Sequence, residues 1–140
     1  MAVETLRQLQ CRFASTLCGL ILWANSKGYE IAFGETLRSD EQAEINAIGP
    51  KGRERISSLV ATEFPLLADK ITNNGKANGI RGSLHELKLA ADLLAFKNGI
   101  YLTSSEDYRE LGVEWERRGG CWGGHFNDGN HFSFEYGGKK

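Results

Sequence analysis

The chain has 140 residues, enough for one domain that buries roughly two thirds of its unfolded surface without help from disulfides. Lys plus Arg number 17 and Asp plus Glu 18, so there is no basic field to gather nucleic acid or an anionic membrane, and partners must be recognised locally. Three cysteines cannot all pair within the chain, and Cys11 and Cys18, two helical turns apart, would be about 10 Å from each other, too far to bridge. All three read as reduced thiols of a protein made in the cytoplasm, and Cys121 lacks the C-x-x-C partner of a zinc knuckle or redox site.

Leu6, Leu9, Phe13, Leu17 and Leu20 recur at helical spacing, and Gly28 is placed to stop the helix. The uncharged run from Phe13 to Ala24 follows two arginines and faintly imitates a signal peptide. It falls well short of the roughly 18 apolar residues of a membrane span, so an amphipathic domain helix is the better reading and no signal peptide is expected. Tyr29 to Phe33 is β-prone. Gly34 to Leu37 then leads into Ser39-Asp40-Glu41-Gln42, a capping box that starts a second helix and leaves Arg38 at a strand-to-helix junction. Residues 51–71 read as partly helical, interrupted by Pro65, and the Gly/Asn-rich stretch from Thr72 to Gly82 reads as a mobile loop suited to a lid.

Ser83-Leu84-His85-Glu86 also has capping-box form. His85 and Asp92 offer an imidazole and a carboxylate as candidate metal ligands, and one continuous helix would put them about 10 Å apart, a strained reach for one ion. The segment is therefore expected to make one helical turn after Ser83 and to become a strand near Ala91. Ala91 to Phe96 and Ile100 to Thr103 flank Lys97-Asn98-Gly99 as a β-hairpin. A helix is expected from about Ser105, with Tyr108, Leu111 and Trp115 on one face and Gly119-Gly120 at its end. His131 to Tyr136 alternates as a strand, with His131, Ser133 and Glu135 on one face and Phe132, Phe134 and Tyr136 on the other. No repeat or linker marks off a second module, so residues 1–140 read as one domain.

Ser83-Leu84-His85 running on to Ala90 and Asp92, then Trp122-Gly123-Gly124, then Asp128-Gly129-Asn130-His131-Phe132, resemble in order and spacing the signature of the zinc D-Ala-D-Ala carboxypeptidase and L-Ala-D-Glu endopeptidase family. That family includes single-domain phage endolysins and vancomycin-resistance D,D-dipeptidases. Leu37-Arg38, before a helix carrying Gln42, is similar to the family's substrate-site arginine, so the likeness spans about 100 residues from Phe33 onward. The chain departs from the pattern at Lys88, where the family has a glycine.

The resemblance implies an α+β domain, a small antiparallel sheet with packed helices, of the kind the family shares with hedgehog signalling domains. It implies Zn²⁺ held by His85, Asp92 and His131, with Asp128 as general base, Arg38 as oxyanion stabiliser and substrate contact, and Ser83 as a substrate contact. Such a donor set leaves zinc positively charged with one open position. Judged alone, each residue has a plainer reading. A lone histidine is more often structural than a ligand, Arg38 reads equally as a solvated charge at a helix start, and Ser83 reads equally as the cap of its turn. His125 reads as a surface residue or one beside the ligands, Trp122 as a packing and turn element, and Glu135 lies about 7 Å along the strand from His131.

The expected activity is hydrolysis of a peptidoglycan stem peptide by a monomeric zinc metallopeptidase. The favoured form is a phage or prophage endolysin cutting the L-Ala-D-Glu bond, held in the host cytoplasm until a holin pore admits it to the wall in the periplasm. A D-Ala-D-Ala carboxypeptidase or dipeptidase would use the same metal site on another bond. A non-enzymatic zinc-stabilised binding domain would not need Asp128 and Arg38, and a muramidase would need a Glu/Asp pair that is not identifiable.

Overall fold

The computed structural model describes residues 3–38 and 83–140, with Ile48 and Ser58 as isolated helical positions. The expected helix at Ser39–Gln42, the partly helical segment 51–71 and the loop from Thr72 to Gly82 lie outside the described residues.

Helix α1, Leu6–Ser26, is fixed at its start by a capping box. Thr5 Oγ1 accepts from the Gln8 N–H at 3.3 Å, and Gln8 Oε1 accepts from the Thr5 N–H at 2.9 Å, so two end groups satisfy each other. Its buried face is Leu9, Phe13, Leu17, Leu20 and Ala24, the spacing read from the sequence. Each large side chain so buried contributes about 1.5–3 kcal/mol of transfer free energy. Gly28, at φ +86°, turns the chain into β1, Tyr29–Phe33. No helix among the described residues is long and apolar enough to cross a membrane.

Strand β2, Ala90–Lys97, pairs antiparallel with β1 and turns through Asn98-Gly99 into β3, Ile100–Tyr101. Both turn residues have positive φ, 53° and 75°, as a two-residue hairpin requires. Helix α2, Arg109–Arg117, starts four residues later than expected. Before it, Asp107 accepts from the N–H groups of Thr103 and Ser104 while Ser104 Oγ accepts from the Asp107 N–H, so residues 105–108 form a separate turn. Strand β4, Cys121–Trp122, a 3-10 turn at Gly123–Phe126 and β5, His131–Ser133, complete a sheet ordered β1-β2-β5-β4, with β3 on β2.

Strand β5 is shorter than the expected His131–Tyr136 because its partner runs out. The Phe134 N–H still reaches the Leu89 carbonyl at 2.9 Å, but β2 begins only at Ala90, and residues beyond find no strand to pair with. Tyr136 is exposed and bridges to Lys139 instead, so the alternation of faces stops at Phe134. Trp115 of α2 is fully buried at the centre of the core. It stacks on Phe134 at 5.4 Å and meets Phe13 and Phe132 edge-on, and its indole N–H is shared by the carbonyls of Cys121 and Ser133.

The segment from Leu84 to Lys88 makes the single expected turn before β2. Its exit has the hydrogen bonds of a Schellman motif: Leu89 N–H to Leu84 O at 2.8 Å and Lys88 N–H to His85 O at 3.2 Å. Lys88 occupies the residue after the turn with φ +56°, the left-handed position that glycine favours. The lysine thus does not prolong the helix; it adopts the glycine-type conformation under strain. Lys88 is exposed, so Lys88→Gly should remove this strain without loss of packing. We expect a gain of about 1 kcal/mol and a melting temperature higher by roughly 3 °C in thermal unfolding. A lower melting temperature would show that the lysine side chain stabilises the turn by more than the strain it costs.

Candidate metal centre

Three side chains from two elements and one turn converge on a point. Asp92 and His131 are cross-strand partners on β2 and β5. The Asp92 N–H and C=O both bond toward β1, to Glu35 O and Gly34 N at 2.7 Å, so toward β5 the pair lacks ladder bonds and its side chains are at their closest. His85 reaches the same point from its turn, anchored by buried Leu84 and itself buried.

His85 Nε2 lies 3.2 Å from His131 Nδ1 and 3.4 Å from Asp92 Oδ1, and His131 Nδ1 lies 3.1 Å from Asp92 Oδ1. Hydrogen bonds alone do not account for this triangle, because each imidazole nitrogen carries at most one proton and three short contacts must be satisfied. A divalent cation does account for it. Ligands about 2.0–2.1 Å from a tetrahedral zinc are separated from one another by about 3.3 Å. The donors form the compact His-Asp-His group able to hold a metal among the described residues. Burial pushes the Asp92 carboxyl up, but hydrogen bonds from His131 and His85 outweigh it and bring the pKa to about 2, so the ligand is an anion at neutral pH.

Asp128 lines the same cleft, a cavity of about 1020 Å³, on the turn that enters β5. Its N–H donates to Gly123 O at 3.0 Å and its carbonyl accepts from the His131 N–H at 3.1 Å. Trp122 is buried and donates its indole N–H to Gly129 O at 2.7 Å, which clamps this turn. Gly123 is required by close approach, since a Cβ there would lie 2.4 Å from Asp128 O and 2.8 Å from His131 Cβ. The Trp122-Gly123 pair therefore fixes Asp128 relative to His131.

Arg38 also lines the cleft, but not as a free cation. Its Nε donates to Glu35 Oε1 at 2.7 Å and its Nη2 to Glu35 Oε2, a two-pronged pair that leaves three N–H groups for other partners. Sequence reasoning missed Glu35, whose signal is its position three residues before Arg38. Ser83 lines the cleft as well. Its N–H donates to Glu86 Oε1 at 3.2 Å, while its hydroxyl is buried without a hydrogen-bond partner among the described residues, so the side chain does not cap the turn. His85 Nδ1 is likewise buried and unpartnered among them.

His125 is exposed on the cleft rim, 5.5 Å edge-on from Trp122, with Nε2 2.6 Å from Glu116 Oε1; it is apart from the three donors. Glu135 is exposed beyond the end of β5.

No family model and no curated protein matches the sequence. Solved structures do share the fold. A glutamate-to-alanine mutant of the vancomycin-resistance D,D-pentapeptidase VanY from a VanB-type resistance cassette, in complex with Zn(II), superposes with a TM-score of 0.52 at 20% identity, covering 88% of this chain and 70% of that one. VanYB in complex with D-alanine-D-alanine gives 0.51 at 20% identity, covering 88% and 69%. The chain thus has the α+β fold of the VanY D,D-peptidases, with a metal-binding His-Asp-His group in its cleft.

Proposed function

We propose that the chain is a zinc-dependent peptidase of bacterial cell-wall peptidoglycan, acting as a D-Ala-D-Ala carboxypeptidase. The observation that carries this reading is the convergence of His85 Nε2, Asp92 Oδ1 and His131 Nδ1 at tetrahedral spacing in a cleft that also holds Asp128. Three protein donors among the described residues fit a catalytic rather than a structural zinc, which would have four. Held by His85, Asp92 and His131, a zinc ion would supply Lewis acidity and lower the pKa of water towards neutrality. Asp128 accepts the proton of the attacking water and delivers it to the leaving amine. The Arg38 N–H groups that Glu35 does not hold stabilise the charge that develops on the substrate, and the Ser83 hydroxyl, without a partner among the described residues, hydrogen-bonds the substrate.

The motifs fit an L-Ala-D-Glu endopeptidase of the endolysin type equally well, but the choice of bond is favoured by the neighbours, both named as VanY enzymes and one holding D-alanine-D-alanine. Mass spectrometry of muropeptides after digestion of purified peptidoglycan with zinc-loaded protein tests it. The expected product is a stem shortened by its terminal D-Ala and still attached to muramic acid. Free stem peptides with D-Glu at a new N-terminus would transfer the activity to the endopeptidase, and cleaved glycan with intact stems would overturn both.

A further inference from the structure

The Arg38 side chain is only 11% exposed, and three carboxylates compete for it. Glu35 holds it through two hydrogen bonds. The Glu35 hydrogen bonds, with smaller through-space attraction from Asp92 and Glu86, outweigh burial and raise the guanidinium pKa above its usual value. Asp92 is tied to the same stretch of chain, since its backbone bonds to Gly34 N and Glu35 O at 2.7 Å, and its side chain lines the same cleft as Arg38 and Glu35.

We propose that Glu35 is a positioning residue for the metal centre: its carboxylate holds the Arg38 guanidinium in the cleft wall and keeps it from pairing with Asp92. A guanidinium largely shielded from water is costly to leave without a counter-charge. Were Glu35 absent, it would take the Asp92 carboxylate, whose oxygen must instead point to the ion shared with His85 and His131. The interaction thus protects a ligand by occupying its competitor, and fixes the fork of Arg38 in the orientation in which its other N–H groups meet substrate.

This inference rests on the metal-centre reading, and its test is zinc affinity rather than turnover. Competition with a chromophoric chelator gives the zinc Kd of the wild type, Glu35→Ala, Glu35→Gln, Arg38→Ala and the Glu35→Ala/Arg38→Ala double variant, with circular dichroism checking each fold. Glu35→Ala should weaken zinc by about tenfold or more, the scale of a lost partner around a ligand. Glu35→Gln, the same size but uncharged, should weaken it by less. The double variant should regain the affinity of Arg38→Ala, which itself stays near wild type. An unchanged Kd in both Glu35 variants overturns the proposal, as does a loss that persists once Arg38 is removed. If Glu35→Ala does not fold, recovery in a Glu35→Gln/Arg38→Ala pair decides in its place. A wild-type protein that fails to bind zinc overturns the metal-centre reading together with this one, whereas failure confined to the variants overturns this one alone.

Discussion

His131→Ala is expected to abolish both metal binding and hydrolysis. The substitution removes one of three protein donors and leaves His85 and Asp92, 3.4 Å apart, as a two-point site. Sharing the free energy typical of a four-ligand zinc site evenly among its ligands puts the loss on the order of 3–4 kcal/mol, or several hundredfold in affinity. The fold should survive. The His131 backbone keeps its place in β5, where its N–H bonds Asp128 O and its neighbour Phe132 remains fully buried under Trp115. Metal analysis of the purified variant should therefore show substoichiometric zinc in a protein with a native circular dichroism spectrum, and no product from peptidoglycan. Stoichiometric zinc after the substitution would mean that another side chain completes the donor set.

The elements that positioned this site were legible in the sequence where the signal was local. The spacing of Leu9, Phe13, Leu17 and Leu20 gave α1, Asn98-Gly99 gave the hairpin, and the 10 Å separation on a continuous helix forced a turn and a strand between His85 and Asp92. What was hidden depends on residues distant in the chain. The end of β5 is set by where β2 begins, so the alternation through Tyr136 misled. The left-handed turn at Lys88 was not legible from the residue itself, because a lysine in that region is exceptional and leaves no compositional trace. The clamp from the Trp122 indole to Gly129 O, and the steric need for Gly123, follow from packing and not from pattern. Glu35 was overlooked for a different reason. Its ion pair with Arg38 is local, but a charged residue in an exposed-looking turn carries no mark of being in a cleft until the cleft is seen.

Asp128→Asn is expected to leave zinc, stability and substrate affinity close to wild type while lowering kcat by about a hundredfold or more, the scale of a positioned general base. The geometry makes this a clean test. Asp128 is held by its backbone, through Gly123 O and the His131 N–H, and its turn by the Trp122 indole, so an amide of the same shape does not release it. The side chain lies outside the three-donor group, which leaves the metal its ligands. An asparagine can still accept a hydrogen bond from water, but it cannot take the proton and carry it to the leaving amine, so the deficit should appear in kcat and in kcat/KM alike, a barrier increase of about 2.7 kcal/mol or more. Zinc content and melting temperature measured beside the kinetics separate this from damage to the site. Near-normal turnover would move proton transfer to another carboxylate. Glu135 is then a poor successor because it is exposed past the end of β5, whereas Glu116 lines the cleft opposite His125 and would be the next residue to replace.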